Sequence, residues 1–297
     1  MDIKLTIKKT LDALRDEKTR WDAILEFKLL DCRQHLDIVM ASMQDPDWIV
    51  RWAVAEKLGE FASIPVMYCL IKSLGDPDPH VQKNVMASLV KFRRKAISYL
   101  IPYLVHPDRE IRLNVISIFK QQDGDICPML LEAAKTANLV LANQLMHLIW
   151  ILDTPTTETV LITLLKEKKC QKTAILLLAH MRSEKVLDDL LALYHLPNLR
   201  KPILLAFKRV GESVFFPFIL GAWFIDRNQL AEKIIVKIGQ PILPYLVKLL
   251  NRTSVYAPEQ VASMLRKIGP QSVMTDLAAY NRKIPAITTL LKEFSKH

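Results

Sequence analysis

Apolar residues recur along this chain at the three- and four-residue spacing of an α-helix, and the helical segments themselves recur about every 30 residues. In the first half, three similar turns introduce such segments, and a valine or isoleucine after each turn recurs at intervals of 31 and 30 residues. The turns read Asp45-Pro-Asp-Trp-Ile-Val50-Arg51, Asp76-Pro-Asp-Pro-His-Val81-Gln82 and Pro107-Asp108-Arg-Glu-Ile111-Arg112. The apolar stripes that follow are Val50, Ala53, Val54, Leu58 and Phe61, then Val81, Val85, Leu89 and Phe92, then Ile111, Val115, Ile118 and Phe119.

The second half repeats another part of the same unit. Arg209-Val210-Gly211, Lys237-Ile238-Gly239 and Lys267-Ile268-Gly269 lie 28 and 30 residues apart, and each closes an apolar helix. A cation suits the negative end of a helix, and glycine accepts the positive φ that often follows it. In the first half, each first helix is followed by a second, as at 64–74 and 96–105, so the repeating unit is a helix pair.

One helix pair of this size cannot bury both of its apolar faces, whereas a stack of pairs can. We therefore predict an all-α fold, a right-handed α-solenoid of about nine stacked antiparallel helix pairs in a HEAT or armadillo-type superhelix, from near Thr19 to near Lys283. No glycine- or serine-rich linker interrupts the series, so we expect one repeat domain over 1–297. Its parts are an N-terminal repeat (19–44), the most regular repeats (45–137), irregular middle repeats (138–198), basic C-terminal repeats (199–283) and a capping helix (284–297).

Two local features can be predicted in the less regular regions. Thr154 is expected to cap the N-terminus of a helix over 154–168, with Pro155 at its first position, where a missing N–H costs little. Trp150 and Trp223 lie within strongly apolar runs and are expected to be core residues.

The Asp-Pro-Asp-x-x-Val-Arg turn, followed by an apolar helix at a period near 30 residues, resembles the HEAT repeat, and especially the short variety found in phycobilin-lyase subunits. The resemblance extends over about 20–285 and is strongest over 45–119. It implies structural roles for the turn aspartate and for the arginine after the valine. The positions concerned are Asp45, Arg51, Asp76, Asp108 and Arg112. Gln82 replaces arginine in the second turn, which implies a weaker ladder of side chains there.

Asparagines recur at a similar period. Asn84, Asn114 and Asn143 are spaced 30 and 29 residues apart, each three or more residues into its helix. Their amides would either bind an extended ligand backbone or tie one helix to the adjacent repeat, and the second role is favoured. Gly211, Gly239 and Gly269 are likewise interpreted as structural helix ends.

The sequence lacks the motifs of common chemistries. No zinc or iron motif, phosphate-binding glycine loop, dinucleotide fingerprint or nucleophile elbow occurs, so we predict no metal, no cofactor and no enzymatic activity. The four cysteines, Cys32, Cys69, Cys127 and Cys170, are widely spaced, which favours reduced thiols in a cytoplasmic protein. Met1–Lys4 is not followed by the apolar stretch of a signal peptide, and the longest apolar run, Val214–Ile225, is too short to span a membrane.

Positive charge is concentrated in the last repeats. The net charge is +10, and residues 171–297 carry 18 basic and 9 acidic side chains. Stacking would align Arg209, Lys237 and Lys267 as a basic stripe, supplemented by Lys208, Lys233 and Arg266. The stripe would either stabilise the helix ends and keep the protein soluble, or bind an anionic partner. In the first half, Arg51, Trp52 and Lys83 are candidate binding residues, since Trp52 lies off the apolar stripe and is either exposed or packed between repeats.

Three functions are compatible with these patterns. A non-catalytic protein-binding scaffold or adaptor, holding its partner on the concave face, agrees best with a solenoid that lacks catalytic motifs. The second function is nucleic-acid binding by the basic C-terminal repeats, and a protein of this kind could resemble the HEAT-like DNA glycosylases, which have a basic groove. A bilin lyase subunit or chaperone is implied only by the resemblance to the phycobilin-lyase repeats.

Overall fold

The computed structural model describes residues 3–251 and 258–269, which belong to two compact units divided between Val160 and Leu161. The described residues contain 18 α-helices and no β-strand. In the first unit the helices are α1 (Ile3–Arg15), α2 (Arg20–Leu29), α3 (Leu36–Ala41), α4 (Trp48–Leu58), α5 (Ile64–Lys72), α6 (Pro79–Lys91), α7 (Arg94–Leu100), α8 (Arg109–Lys120), α9 (Cys127–Thr136) and α10 (Leu139–Leu152). Helix α11 (Thr157–Leu164) begins in the first unit and ends in the second. The second unit continues with α12 (Gln171–Met181), α13 (Leu187–Leu193), α14 (Arg200–Val210), α15 (Glu212–Phe224), α16 (Gln229–Ile238), α17 (Leu243–Asn251) and α18 (Pro258–Ile268).

Helix pairs stack within each unit. In the first unit α4 packs on α6 and α6 on α8, while the second helices α3, α5 and α7 form a parallel row of contacts. In the second unit α12 packs on α14, and α16 on α18. The described part of the chain thus holds eight pairs from α2 to α17, followed by α18, in agreement with the predicted α-solenoid class. The companion of α18 and the predicted capping helix over 284–297 lie outside the described residues.

The core consists of the apolar stripes expected from the repeat. Val50, Val54 and Leu58 of α4 are fully buried, as are Val81, Val85 and Leu89 of α6. Burial of such a side chain contributes roughly 2 kcal/mol, so these stripes supply most of the attraction between successive pairs. The prediction for the two tryptophans is wrong. Trp150 is 37% exposed because it lies at the edge of the buried side of α10, and Trp223 is only partly buried beside Phe224.

Five of the turns between pairs are closed by a side chain that reaches back to the turn. Arg51 Nη1 donates to the carbonyl oxygens of Asp45 at 2.8 Å and Pro46 at 3.1 Å. The same contact, to the carbonyl six residues earlier, recurs along the chain. It is made by Gln82 to Asp76 (2.8 Å), Arg112 to His106 (2.6 Å), Gln171 to Leu165 (3.1 Å) and Arg200 to Tyr194 (3.3 Å). The irregular middle repeats therefore keep this turn although they lack the Asp-Pro-Asp sequence.

The turns of the first unit are also joined to one another. Arg51 forms a two-point ion pair with both carboxylate oxygens of Asp76 in the next turn, with N–O distances of 2.8 and 2.9 Å. Arg15 directs two nitrogens at a single oxygen of Asp45, Oδ2, at 2.6 and 3.2 Å. In the following turn, His106 occupies the position that corresponds to Asp45 and Asp76. Its Nδ1 accepts a hydrogen bond from the backbone N–H of Asp108. Asp108 itself corresponds to Asp47 and caps α8. Here Gln82 replaces the ion pair with hydrogen bonds to Glu110 and Asn114.

Other polar side chains tie the first helices together. The Asn84 amide donates to the carbonyl of Trp52 at 3.2 Å, and the Asn114 amide donates to the carbonyl of Leu74 at 2.9 Å. These are contacts with the preceding repeat, as the structural role of the asparagines requires. The buried Ser88 hydroxyl similarly donates to the carbonyl of Ala55 at 2.8 Å.

Helix α11 begins later than the sequence predicts. Its first residue is Thr157, and Thr154 does not cap it. The Thr154 hydroxyl donates instead to Asp125 Oδ1 at 3.1 Å, and Thr156 also bonds to this carboxylate. The expected cap is wrong because an aspartate of the preceding turn binds both hydroxyls.

The described residues add three chemical facts. All four cysteines are free, and burial raises the pKa of each thiol above its ordinary value, which favours the unreactive thiol form. Among the described helices, none is both long and apolar enough to cross a bilayer. In the same part of the chain, no group of three or more histidine, cysteine or acidic side chains is placed to hold a metal ion.

The turn network predicts a graded effect of substitutions at Arg51. Arg51→Ala should lower the free energy of unfolding by about 3 kcal/mol, because it leaves the buried Asp76 carboxylate and two turn carbonyls unpaired. Arg51→Gln should cost less, since Gln82 shows that glutamine can still reach the turn carbonyl. Denaturant unfolding measures both, with Arg109→Ala at an exposed position as the control. A loss below about 1 kcal/mol for Arg51→Ala would show that the turn does not need the arginine.

The lowered pKa of Asp45 is expected to contribute to the loss of stability of the first unit in acid. Burial alone would raise its pKa, but the hydrogen bonds from Arg15 and the Asp47 N–H, with the charges of Arg15 and Arg51, bring the pKa below its ordinary value. The ionised form therefore stabilises the fold above about pH 4, and this contribution is lost as pH falls through the lowered pKa. Asp45→Asn should be less stable at pH 7 but lose less further stability below pH 4 than the unmodified chain. Glu17→Gln, which removes the same charge at an exposed site, should leave the pH dependence unchanged.

Candidate functional site

Helix α2 has apolar residues on two sides, and only one side is buried. Ala23, Ile24 and Phe27 pack into the first unit, against which α2 is held by its contacts with α1 and α4. Trp21, Leu25 and Leu29, spaced four residues apart, form a second row that is 70%, 64% and 87% exposed. We call this row the α2 apolar face. A contiguous exposed row of large apolar side chains is uncommon on soluble proteins and marks a place where another surface binds.

The α2 apolar face has an acidic border. Asp22 and Glu26 are exposed beside it and make no ion pair with any residue that the structure describes. The cations of the same helix are already paired, Lys28 with Glu56 at 3.1 Å and Arg20 with Asp47 at 3.6 Å. Within α2, the charges left without an ion partner among the described residues are therefore acidic, although the chain as a whole is positive.

The binding residues suggested by the sequence in the first unit lie elsewhere. Arg51 uses its guanidinium within the turn network and is mostly buried. Trp52 is partly buried, and its carbonyl accepts from Asn84. Lys83 is exposed, and so is Trp48, whose ring lies 5.5 Å from that of His80. None of these residues lines either of the two clefts found in the second unit.

In the second unit a cleft of about 460 Å³ opens at the C-terminal ends of α12 and α14. It is lined by Ala179, His180, Arg182, Leu205, Lys208 and Arg209, and we call it the basic cleft. Its position follows from the packing of α12 on α14, which places the last turns of two neighbouring first helices side by side. No acidic side chain is among its lining residues.

The cations of the basic cleft lack partners. The side chains of Arg182, Lys208 and Arg209 form no hydrogen bond or ion pair with any described residue, in contrast to Arg51 and Arg200. Arg182 also has φ of 53°, in the left-handed region that suits glycine. Arg182 comes directly after α12. The equivalent positions after α14, α16 and α18 are Gly211, Gly239 and Gly269, which all have positive φ, as the sequence predicts.

A second cleft, of about 200 Å³, lies near the ends of α15, α16 and α18. Its cations are paired: Lys267 Nζ binds Glu232, and the Gln260 side-chain oxygen, in the orientation that satisfies both groups, accepts from Arg227 at 2.9 Å. Lys237 is exposed and lines neither cleft. Arg209 lines the basic cleft and Lys267 lines the second cleft, so these two members of the expected stripe belong to different clefts.

Sequence reasoning missed the residues that complete both surfaces. His180-Met181-Arg182 precedes Arg209-Val210-Gly211 by 29 residues, which is the repeat spacing. The segment does not resemble the other helix ends in sequence, because arginine stands where they have glycine. The α2 apolar face was missed because large apolar residues at helical spacing usually indicate a core. The signal for a second face was the presence of apolar residues on more than one side of a short helix.

Comparison with known proteins agrees with this architecture. Residues 35–64 match the HEAT repeat family, so the chain contains a repeat of the predicted HEAT type, and its fold is that of a helical repeat scaffold. No curated protein matches the sequence.

Several solved structures are similar to this chain, among them the following three. The complex of CpcE and CpcF of phycocyanin lyase from Nostoc sp. PCC7120 has 15% identity and a TM-score of 0.31, covering 69% of this chain and 86% of that one. Human deoxyhypusine hydroxylase has 12% identity and a TM-score of 0.30, covering 70% and 96%. An engineered protein has 15% identity and a TM-score of 0.30, covering 99% and 98%. Scores this low support no argument about function.

The backbone of Arg182 leads to a stability prediction. Arg182→Gly should raise the free energy of unfolding by roughly 0.5–1 kcal/mol, because glycine adopts positive φ without steric cost. Arg182→Ala removes the same charge but keeps the β-carbon, so it should give no such gain. Denaturant unfolding of the two variants separates backbone strain from charge repulsion, and equal gains in both would assign the effect to charge.

Proposed function

We propose that this chain is a non-catalytic protein-binding scaffold that docks an α-helix of its partner on the α2 apolar face. The observation that supports the proposal is the exposed row of Trp21, Leu25 and Leu29 on a helix whose opposite side is already buried. Tryptophan and leucine at a spacing of four residues match the spacing at which two packed helices interlock.

The charge of the surroundings defines the partner helix further. Asp22 and Glu26 border the face without ion partners among the described residues, so a helix with an apolar stripe and basic flanks is complementary to it. Trp21 is the expected anchor, since large aromatic side chains contribute most of the energy in such interfaces. The absence of catalytic motifs in the sequence agrees with a binding role.

The alternatives have less support. Nucleic acid binding would require a continuous basic surface, and the cations of α14 and those of α16 and α18 line different parts of the second unit. The bilin lyase hypothesis rests on the repeat type alone. The residues that support the scaffold proposal are also different from Arg51, Trp52 and Lys83, which the sequence suggested.

A synthetic amphipathic helix tests the proposal. A labelled peptide of about 18 residues, with leucines on one face and lysines beside them, should bind the full chain in a fluorescence anisotropy titration. Trp21→Ala, Leu25→Ala and Leu29→Ala combined should weaken binding at least about 30-fold, which corresponds to roughly 2 kcal/mol. A peptide with glutamates in place of the lysines should bind about tenfold more weakly because of Asp22 and Glu26.

The control is Ile225→Ala, which removes an equally exposed but isolated apolar side chain and should leave binding unchanged. Thermal unfolding should be nearly the same in all variants, since the side chains removed are exposed. Peptide binding that survives the triple substitution would contradict the proposal. A dimer of the unmodified chain that the triple variant cannot form would replace the partner helix with a second copy of the chain.

A further inference from the structure

The basic cleft presents two features that structural roles alone do not explain. Lys208 and Arg209 lie in the last turn of α14, where cations stabilise a helix end by about 0.3–1 kcal/mol. Arg182, however, lies beyond the end of α12, in a backbone conformation that costs an L-residue roughly 1 kcal/mol or more and that glycine would adopt freely. The cleft therefore combines a strained cation with two others, and the structure offers none of the three a counterion among the described residues.

Three neighbouring positive charges repel one another, and the negative ends of α12 and α14 offset this repulsion only in part, so an anion between the cations would be favourable. Arginine guanidinium groups bind phosphate oxygens through two parallel N–H donors, and lysine adds a third, less directional contact. Arg182 and Arg209, from two different helix ends, and Lys208 beside them are thus suited to one compact, doubly charged oxyanion. A carboxylate, with a single charge, would leave two of the three cations unpaired.

The size and lining of the cleft indicate what carries the anion. A volume of about 460 Å³ is in the range of small-ligand sites and accommodates a phosphorylated side chain with part of its backbone. Leu205, 39% exposed, provides an apolar surface for a neighbouring residue. A nucleic acid backbone would need cations that continue along the surface, but Lys267 is paired with Glu232 and lies in the other cleft.

We propose that the basic cleft binds a phosphoserine or phosphothreonine in a segment of a partner protein. The phosphoryl group lies between Arg182, Lys208 and Arg209, and a flanking apolar residue of the segment contacts Leu205. This site lies in the second unit and does not depend on the α2 apolar face of the first unit. The scaffold would then hold a modified partner only after phosphorylation supplies the charge.

Peptide libraries test this proposal without a known partner. Labelled peptides with a fixed central phosphoserine or phosphothreonine and degenerate flanking positions should bind the full chain at least about tenfold more tightly than the same libraries without phosphate, and more tightly than libraries with glutamate at the centre. Inorganic phosphate at millimolar concentration should compete with the phosphorylated libraries.

Variants of the cleft locate the site. Lys208→Ala with Arg209→Ala should lower affinity for the phosphorylated libraries at least tenfold, and Lys172→Ala with Lys201→Ala, at exposed positions of α12 and α14 outside the lining, should not. Arg182→Gly should also weaken binding several-fold although it fits the backbone better, so the loss cannot be attributed to unfolding. The triple alanine variant of the α2 apolar face should bind the phosphorylated libraries normally, which separates this proposal from the previous one.

Two results would overturn the proposal. Equal binding of phosphorylated and unmodified libraries, or equal losses in the cleft and control variants, would show that the cleft does not recognise phosphate. Tighter, steeply salt-dependent binding of a labelled 20-base-pair DNA duplex (about two helical turns), lost in the same cleft variants, would assign the cations to a nucleic acid backbone instead.

Discussion

The architecture of both units depends on how each turn between helix pairs satisfies its backbone carbonyls. A helix end leaves carbonyl groups without intrahelical partners, and in these turns a side chain six residues further along donates to one of them. Arginine or glutamine performs this task in both units, with or without the Asp-Pro-Asp sequence. Because the donor belongs to the first turn of the next helix, the bond also sets the direction in which that helix leaves. Only with that direction do the valine and leucine stripes of successive first helices meet.

In the first unit the same arginines also connect one turn to the next. Arg51 donates a hydrogen bond from one nitrogen to the Asp45 carbonyl of its own turn, and its two other nitrogens bind the carboxylate of Asp76 in the next turn. Where Gln82 and His106 replace the charged pair, hydrogen bonds of the Gln82 amide with Glu110 and Asn114 take over. The ladder is thus continuous although its chemistry changes. The asparagines belong to the same system, since Asn84 and Asn114 reach carbonyls of the preceding repeat.

Because arginine forms hydrogen bonds within the turns elsewhere in the chain, arginines that form none among the described residues are candidates for binding a partner. Arg51, Arg112 and Arg200 have backbone partners in their turns, whereas the side chains of Arg182 and Arg209 line a cleft and form no hydrogen bond with any described residue. Similarly, Phe27 and Trp21 lie on one helix, but Phe27 is in the core and Trp21 is not. The candidate binding surfaces consist of residue types that elsewhere in the chain serve the fold. They differ only in lacking a partner within it.

The repeat, the helical class, the Asp-Pro-Asp turns and the glycines with positive φ could be predicted from the sequence, because each depends on residues within one or two turns of helix. The HEAT-type match over 35–64 lies in the segment where this local pattern is clearest. Tertiary structure decided which side of α2 is buried, which arginines are bonded, where α11 begins and how exposed Trp150 is. Several of these features depend on residues from another repeat, such as Asp125, 29 residues from Thr154, and Asp76, 25 residues from Arg51. Side-chain type and spacing determine what a residue can bind, but only packing determines whether its partner lies within the same chain.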